Sequence, residues 1–232
     1  MKITCFGDSI TLGQIGAPYV DYLNGEVENT GVNGLTTTSE LDTVSNWLFS
    51  NSLDSVDVFI LAIGSNDLIG PFLKTQGWKD YYETGEGSKQ VYLEDPAQFA
   101  VVYESIVQKL TETGKPVILV CPPHLQLEGF DTLKEVVQDE RIKEIGEKYS
   151  LPVVDTKSAQ LAFFGKEKYH KTNSARNNYL IGVALTLLGM LPVNDTIFPL
   201  VGKTYLTVDG IHSSKETAKL EGKCINDALA NI

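Results

Sequence analysis

Six consecutive apolar residues, Val58-Phe59-Ile60-Leu61-Ala62-Ile63, constrain the fold more than any other stretch of this chain. A strand with one solvated face alternates apolar and polar residues, so an unbroken run predicts a strand covered on both faces, as in a parallel sheet between helical layers. Similar short runs recur at residues 3–6, 117–121 and 153–154, with a further candidate at 27–32. Between them lie helical patterns. Asp95-Pro96 offers an N-cap and a first-turn proline ahead of Phe99, Val102, Tyr103, Ile106 and Leu110, and Gly114 closes that segment. Ser39 precedes Leu41, Val44, Trp47 and Leu48. Asp131 precedes Leu133, Val136, Val137, Ile142 and Ile145. Ser213 and Glu216 have capping-box spacing ahead of Ala218, Leu220, Ile225 and Leu229, which predicts a C-terminal helix.

Strand–helix alternation with right-handed crossovers gives an α/β fold, a three-layer α/β/α sandwich around a central parallel sheet. No linker or repeat interrupts residues 1–232, so a single domain is expected, with elaborations at about 70–94 and 157–208, where the alternation fails. With 42% hydrophobic and 21% charged residues the chain has the makings of an ordinary packed core. Nineteen basic against thirty acidic side chains leave a formal charge of −11, which argues against nucleic acid as a partner and against anionic lipid surfaces. The longest apolar stretch, 179–191, is too short for a membrane span. The N-terminal residues lack the apolar stretch of a signal peptide, so a cytoplasmic location is expected. Cys5, Cys121 and Cys224 lack the paired spacing of a zinc site and read as buried free thiols.

In open α/β sheets ligands bind beyond the carboxyl ends of the strands. The residues placed there are Gly7-Asp8-Ser9-Ile10-Thr11, then Asn29 to Gly34, then Gly64-Ser65-Asn66-Asp67, and, ahead of the last helix, Asp209-Gly210-Ile211-His212. Taken one at a time, each has an ordinary explanation: Ser9 as a helix N-cap, Gly34 as turn punctuation, Asn66-Asp67 as an Asx turn, His212 as an exposed first-turn residue.

Jointly, and in this order, the four segments resemble the SGNH (GDSL) hydrolases, a family of esterases and lipases whose blocks contribute Ser, Gly, Asn and His. The resemblance runs from Asp8 to His212, with Gly-Asp-Ser-Ile in place of Gly-Asp-Ser-Leu. It implies an SGNH-hydrolase, flavodoxin-like sheet and a serine hydrolase acting on a small-molecule ester substrate. Ser9 would be the nucleophile, Asp209 and His212 the rest of the triad, and Ser9 N–H, Gly34 N–H and the Asn66 amide the oxyanion hole. The chemistry suits these residue types. A serine hydroxyl needs a base near neutral pH, histidine titrates in that range, and a carboxylate three residues away can orient it from the same turn. Asp8 and Asp67 read as loop supports. No cofactor or metal is called for. His124 and His170 read as surface residues, and Trp78, Tyr81, Tyr82 and Tyr92 as candidates for an acyl groove, sugar stacking or plain packing. A dinuclear metallophosphoesterase is the rival reading, opposed by a total of three histidines; a doubly wound binding module lacks its phosphate-cradling glycine loop.

Overall fold

The computed structural model describes residues 1–78, 83, 85–169, 172, 174 and 205–232. Five strands form one parallel sheet: β1 (Lys2–Gly7), β2 (Glu26–Asn29), β3 (Val58–Ala62), β4 (Val117–Val120) and β5 (Val153–Val154), in the order β2-β1-β3-β4-β5. The described helices are α1 (Ser9–Leu12), α2 (Thr37–Ser50), α3 (Ser65–Thr75), α4 (Pro96–Thr111), α5 (Leu133–Tyr149), α6 (Thr156–Phe164), α7 (Lys166–Tyr169) and α8 (Lys215–Leu229). The direction of winding reverses between β1 and β3, and a crevice opens where neighbouring connections leave for opposite faces.

The apolar runs split by strand periodicity between the two faces. Phe6, Phe59, Leu61, Val117 and Leu119 pack against Val44 and Trp47 of α2, Phe99, Tyr103 and Ile106 of α4, and Ile142 and Ile145 of α5. Ile3, Cys5, Val58, Ile60, Ile118 and Val120 face Tyr19, Val20, and Ile225 and Leu229 of α8. Trp47 meets Phe6 and Phe59 edge-on, with centroids 5.8 and 5.5 Å away, and its indole N–H donates to Glu28 Oε1 at 3.1 Å. A third cluster, including Ile10, Ile69, Leu73, Phe130 and Ile211, contains immediate sequence neighbours of Ser9 and His212. Cys5 and Cys121 are buried free thiols and Cys224 is half-buried. Burial pushes the first two up to about 12, which removes thiolate character.

Several boundaries differ from the sequence expectation. Residues 27–32 contribute a strand only to Asn29, although Thr30 N–H and Val32 N–H still donate to Cys5 O and Gly7 O as the chain peels off the edge. Helix α2 starts at Thr37, so Ser39 lies inside its first turn. In α8 the cap is Ser214, whose Oγ accepts from Thr217 N–H; Ser213 turns its hydroxyl to Glu221 instead, and the expected Ser213–Glu216 capping box does not form. In α5, Leu133 and Val136 are exposed while Glu135, Gln138 and Asp139 are buried. The inward face of its first half meets polar groups from other elements: Glu135 accepts from Leu125 N–H and contacts His124 Nδ1, Gln138 reaches Gly64, and Asp139 pairs with Lys157 at 2.6 Å. Apolar periodicity is therefore misleading there.

Candidate active site

Helix α1 begins directly after β1. Asp8 is its N-cap, with Oδ1 accepting from Ile10 N–H at 2.9 Å, so Ser9 is the first helical residue rather than the cap. Its hydroxyl stands at the C-terminal edge of β1, beside the crevice of the sheet. The other half of the site comes from the turn before α8. Asp209 is 1% exposed, and its Oδ1 accepts from Ile211 N–H at 2.9 Å and His212 N–H at 2.8 Å. Both bonds fix the carboxylate so that Oδ2 lies 2.7 Å from His212 Nδ1, while His212 Nε2 lies 3.0 Å from Ser9 Oγ. A carboxylate accepts only, so Nδ1 carries the proton and Nε2 presents a lone pair to the serine hydroxyl.

Electrostatics keep Asp209 an acceptor and make His212 a stronger base. Burial by itself pushes the Asp209 carboxyl up, but the His212 charge and the hydrogen bonds from His212 and Ile211 outweigh it and hold the group below the usual carboxylate value. Burial pushes His212 down; Asp209 more than reverses this, with a further contribution from Asp8, and the imidazole ends above its ordinary value of 6.5. Asp8 is itself raised to about 6 by burial, against the opposing pull of Ile10 N–H and His212.

Two further segments carry the other residues expected at the site from the sequence. Gly34 has φ +69°, and a Cβ there would meet nothing within 4 Å; glycine is required by the left-handed backbone and not by lack of room. Asn66 lies in the first turn of α3 and donates through Nδ2 to Leu35 O at 3.0 Å, which leaves the second hydrogen of its amide free to point elsewhere. It is a helix residue, not an Asx turn. Asp67 ties these parts together: Oδ2 accepts from Thr37 N–H at 3.0 Å and Thr37 Oγ1 at 2.7 Å, and Oδ1 from Leu93 N–H at 2.9 Å.

Sequence reasoning missed the residues that hold the histidine turn. Gln126, fully buried just after β4, accepts through Oε1 from Leu206 N–H, Thr207 N–H and Thr207 Oγ1, while its own N–H donates to Gly210 O. Its position beyond a strand end was the available signal. His124 is also buried, 3% exposed, with Nδ1 2.9 Å from Glu135 Oε2 and its ring stacked on Tyr169 at 4.1 Å. It is not the surface residue expected; the hydrogen-bond partner that makes burial tolerable comes from α5, eleven residues on. Tyr92 packs over Gly70 and donates to Gly87 O, and Trp78 lies partly buried against the Ile10–Phe130 cluster. His170, Tyr81, Tyr82 and the stretch 179–191 lie outside the described residues, as does most of the 157–208 elaboration. Among the described residues no group of three or more His, Cys, Asp and Glu side chains is placed to hold a metal ion, and no helix is long and apolar enough to cross a membrane.

A flavodoxin-like sheet with a Ser–His–Asp chain at its β1/β3 crevice is the framework of the SGNH hydrolases. The chain belongs to the GDSL-like lipase/acylhydrolase family, whose model matches residues 5–178, and is thereby a carboxylic ester hydrolase. Solved structures similar to it include a lipolytic protein of the G-D-S-L family from Veillonella parvula (17% identity, 100% of each chain, TM-score 0.61). A lipase/acylhydrolase from Enterococcus faecalis is 20% identical over 99% of this chain and 95% of its own, with TM-score 0.60. An acetylxylan esterase from Geobacillus stearothermophilus is 20% identical over 98% of this chain and 93% of its own, with TM-score 0.57. No curated protein sequence matches the chain.

Proposed function

We propose that the chain cleaves carboxylic esters through an acyl-enzyme on Ser9, with His212 as general base and acid and Asp209 as its orienting partner. The observation that carries this reading is the continuous contact from Ser9 Oγ through both ring nitrogens of His212 to Asp209, between residues otherwise 203 positions apart. In the first half-reaction the Ser9 oxygen bonds to the ester carbonyl carbon while its proton passes to His212 Nε2. The negative charge moves to the carbonyl oxygen, where Ser9 N–H, Gly34 N–H and the free hydrogen of the Asn66 amide are assigned as donors. Collapse breaks the bond to the alkoxide, which leaves with the His212 proton. Water then repeats the sequence against the acyl-enzyme, and the acid departs.

For substrate we propose a small acyl ester, with an acetylated carbohydrate or a lysophospholipid as the specific forms to be separated. Apolar Ile10 and Ile211 beside Ser9 and His212 favour an acyl group lying against the third cluster. The acetylxylan esterase among the similar structures was solved with catalytic mutations at a serine, a histidine and an aspartate, the same residue types assigned here. The test is a panel of esters differing in acyl length and leaving group, run on wild type and Ser9→Ala. A chain-length preference that disappears with Ser9→Ala supports the reading; turnover of the whole panel by the alanine variant defeats it.

A further inference from the structure

One of the oxyanion donors assigned above, the Asn66 amide, hangs on a short segment that α5 braces from outside the four sequence blocks. Gly64 is the N-cap of α3, two residues before Asn66, and has φ +124°, a conformation L side chains rarely adopt. Its carbonyl accepts from Gln138 Nε2 at 2.9 Å, across 74 residues of sequence. The fit around it is close: a Cβ on Gly64 would lie 2.4 Å from Gln138 Nε2 and 3.1 Å from the Phe99 ring. Gln138 is 4% exposed, and its Oε1 takes no partner among the described residues. An apolar side chain of the same size would fill this position without burying an unpaired acceptor, so packing alone does not call for an amide. The bond to Gly64 is what the amide adds. An N-cap carbonyl already accepts the first bond of its helix, so the amide is a second donor that fixes the direction of the peptide plane.

We propose that Gln138 is a positioning residue for the oxyanion hole, holding the Gly64 peptide so that the Asn66 amide, pinned on its other side by Leu35 O, faces the reacting carbonyl. This rests on the assignment of Asn66 as an oxyanion donor. Gly64 lies two residues before Asn66, so a small rotation of its peptide moves the Asn66 side chain relative to Ser9. Since the oxyanion bond strengthens as charge develops, misplacement lowers kcat before it touches KM.

The experiment is a double-mutant cycle on the full chain with a short acyl ester: wild type, Gln138→Met, Asn66→Ala and the pair, with kcat, KM and Tm measured for each. Gln138→Met is expected to lower kcat about tenfold with KM within about twofold, and the pair is expected to match Asn66→Ala alone, because the brace has nothing left to position. A pair about tenfold slower than Asn66→Ala, an unchanged kcat in Gln138→Met, or a change confined to KM overturns the proposal. If Asn66→Ala alone leaves kcat unchanged, the oxyanion assignment fails instead, and the two failures are distinct. Gln138→Glu supplies a variant of native size: its protonated carboxyl can still donate to Gly64 O and its ionised form cannot. Burial favours the protonated form, so its kcat should stay closer to wild type than that of Gln138→Met, and a loss equal to that of Gln138→Met counts against the brace.

Discussion

Ser9 Oγ and His212 Nε2 meet at 3.0 Å although one opens the first helix of the chain and the other immediately precedes the last. The contact is made by two independent local devices: Asp8 capping α1 at the end of β1, and the Asp209 carboxylate collecting the Ile211 and His212 amides into one turn. Each device is encoded within four residues. Bringing them together requires the whole sheet.

Ser9→Ala should abolish ester hydrolysis, lowering kcat by orders of magnitude, while leaving Tm nearly unchanged, since the hydroxyl takes part in no capping bond. A serine-directed phosphonate should label wild type with one equivalent. Mass-spectrometric location of the adduct on any residue other than Ser9 would remove the nucleophile assignment.

Asn66→Ala should lower kcat by about 10²–10³-fold, the usual cost of one oxyanion donor, with a smaller change in KM. The bond to Leu35 O is lost as well, so some fall in Tm accompanies it. Loss of stability with an unaltered rate per folded molecule would mark Asn66 as a turn-tying residue only.

The rate should rise with pH as His212 loses its proton, and the midpoint of that limb should lie above 6.5, because Asp209 and Asp8 favour the imidazolium despite burial. Asp209→Asn removes the larger of those charges and should move the limb downward while costing on the order of 10⁴-fold in kcat through loss of the tautomer. Asp8→Asn should produce a smaller downward move in a still active enzyme. An Asp209→Asn variant with the wild-type profile would detach the carboxylate from the histidine.

What was legible in the sequence follows from how local the cause is. The parallel sheet could be read because strands β3 and β4, and β1 apart from Lys2 and Thr4, are buried on both faces and therefore apolar. Ser9, Gly34, Asn66 and His212 could be singled out as candidates because each sits in a short block beyond a strand or before a helix. The roles of Gln126, His124 and Gln138 were hidden, since they depend on partners 74 to 84 positions away or on a carboxyl group packed from another element, and apart from Gln126's place beyond a strand end nothing local distinguishes a bridging amide from a solvated one. The exposed Leu133 and Val136 show the converse: an apolar residue at helical spacing faces the core only if the core at that height is apolar.

His124→Ala should separate structure from chemistry. It leaves the buried Glu135 side chain with Leu125 N–H but without its imidazole partner, so a stability loss of about 1–3 kcal/mol is expected, as for a buried polar group that loses a hydrogen bond. The kcat of the folded protein should stay within about twofold, since His124 contacts none of the assigned catalytic groups. A large loss of kcat at full folding would bring this second histidine into the mechanism.

Glu40 provides the last test, of stability against pH. It lies in the first turn of α2, fully buried, with neither carboxyl oxygen paired among the described residues, and burial, with Asp8's charge adding, pushes it up to about 9 from an ordinary 4.5. The folded protein therefore keeps a proton that the unfolded chain releases. For a raised carboxyl the favourable contribution is complete below pH 4.5 and is lost as pH climbs through 9, at up to about 1.4 kcal/mol per pH unit in between. Asp8, raised to about 6, and Glu221, raised to about 8 by burial, act with the same sign, so wild-type Tm should decline steadily over this interval. Glu40→Gln keeps the shape and removes the titration. Its Tm should therefore gain on that of wild type as pH is raised from about 5 to about 8.5, whatever the sign of the difference at the acid end. Parallel Tm curves for the two proteins across that range would mean that Glu40 titrates alike in the folded and unfolded chain, and burial without a partner would then not be what sets its proton.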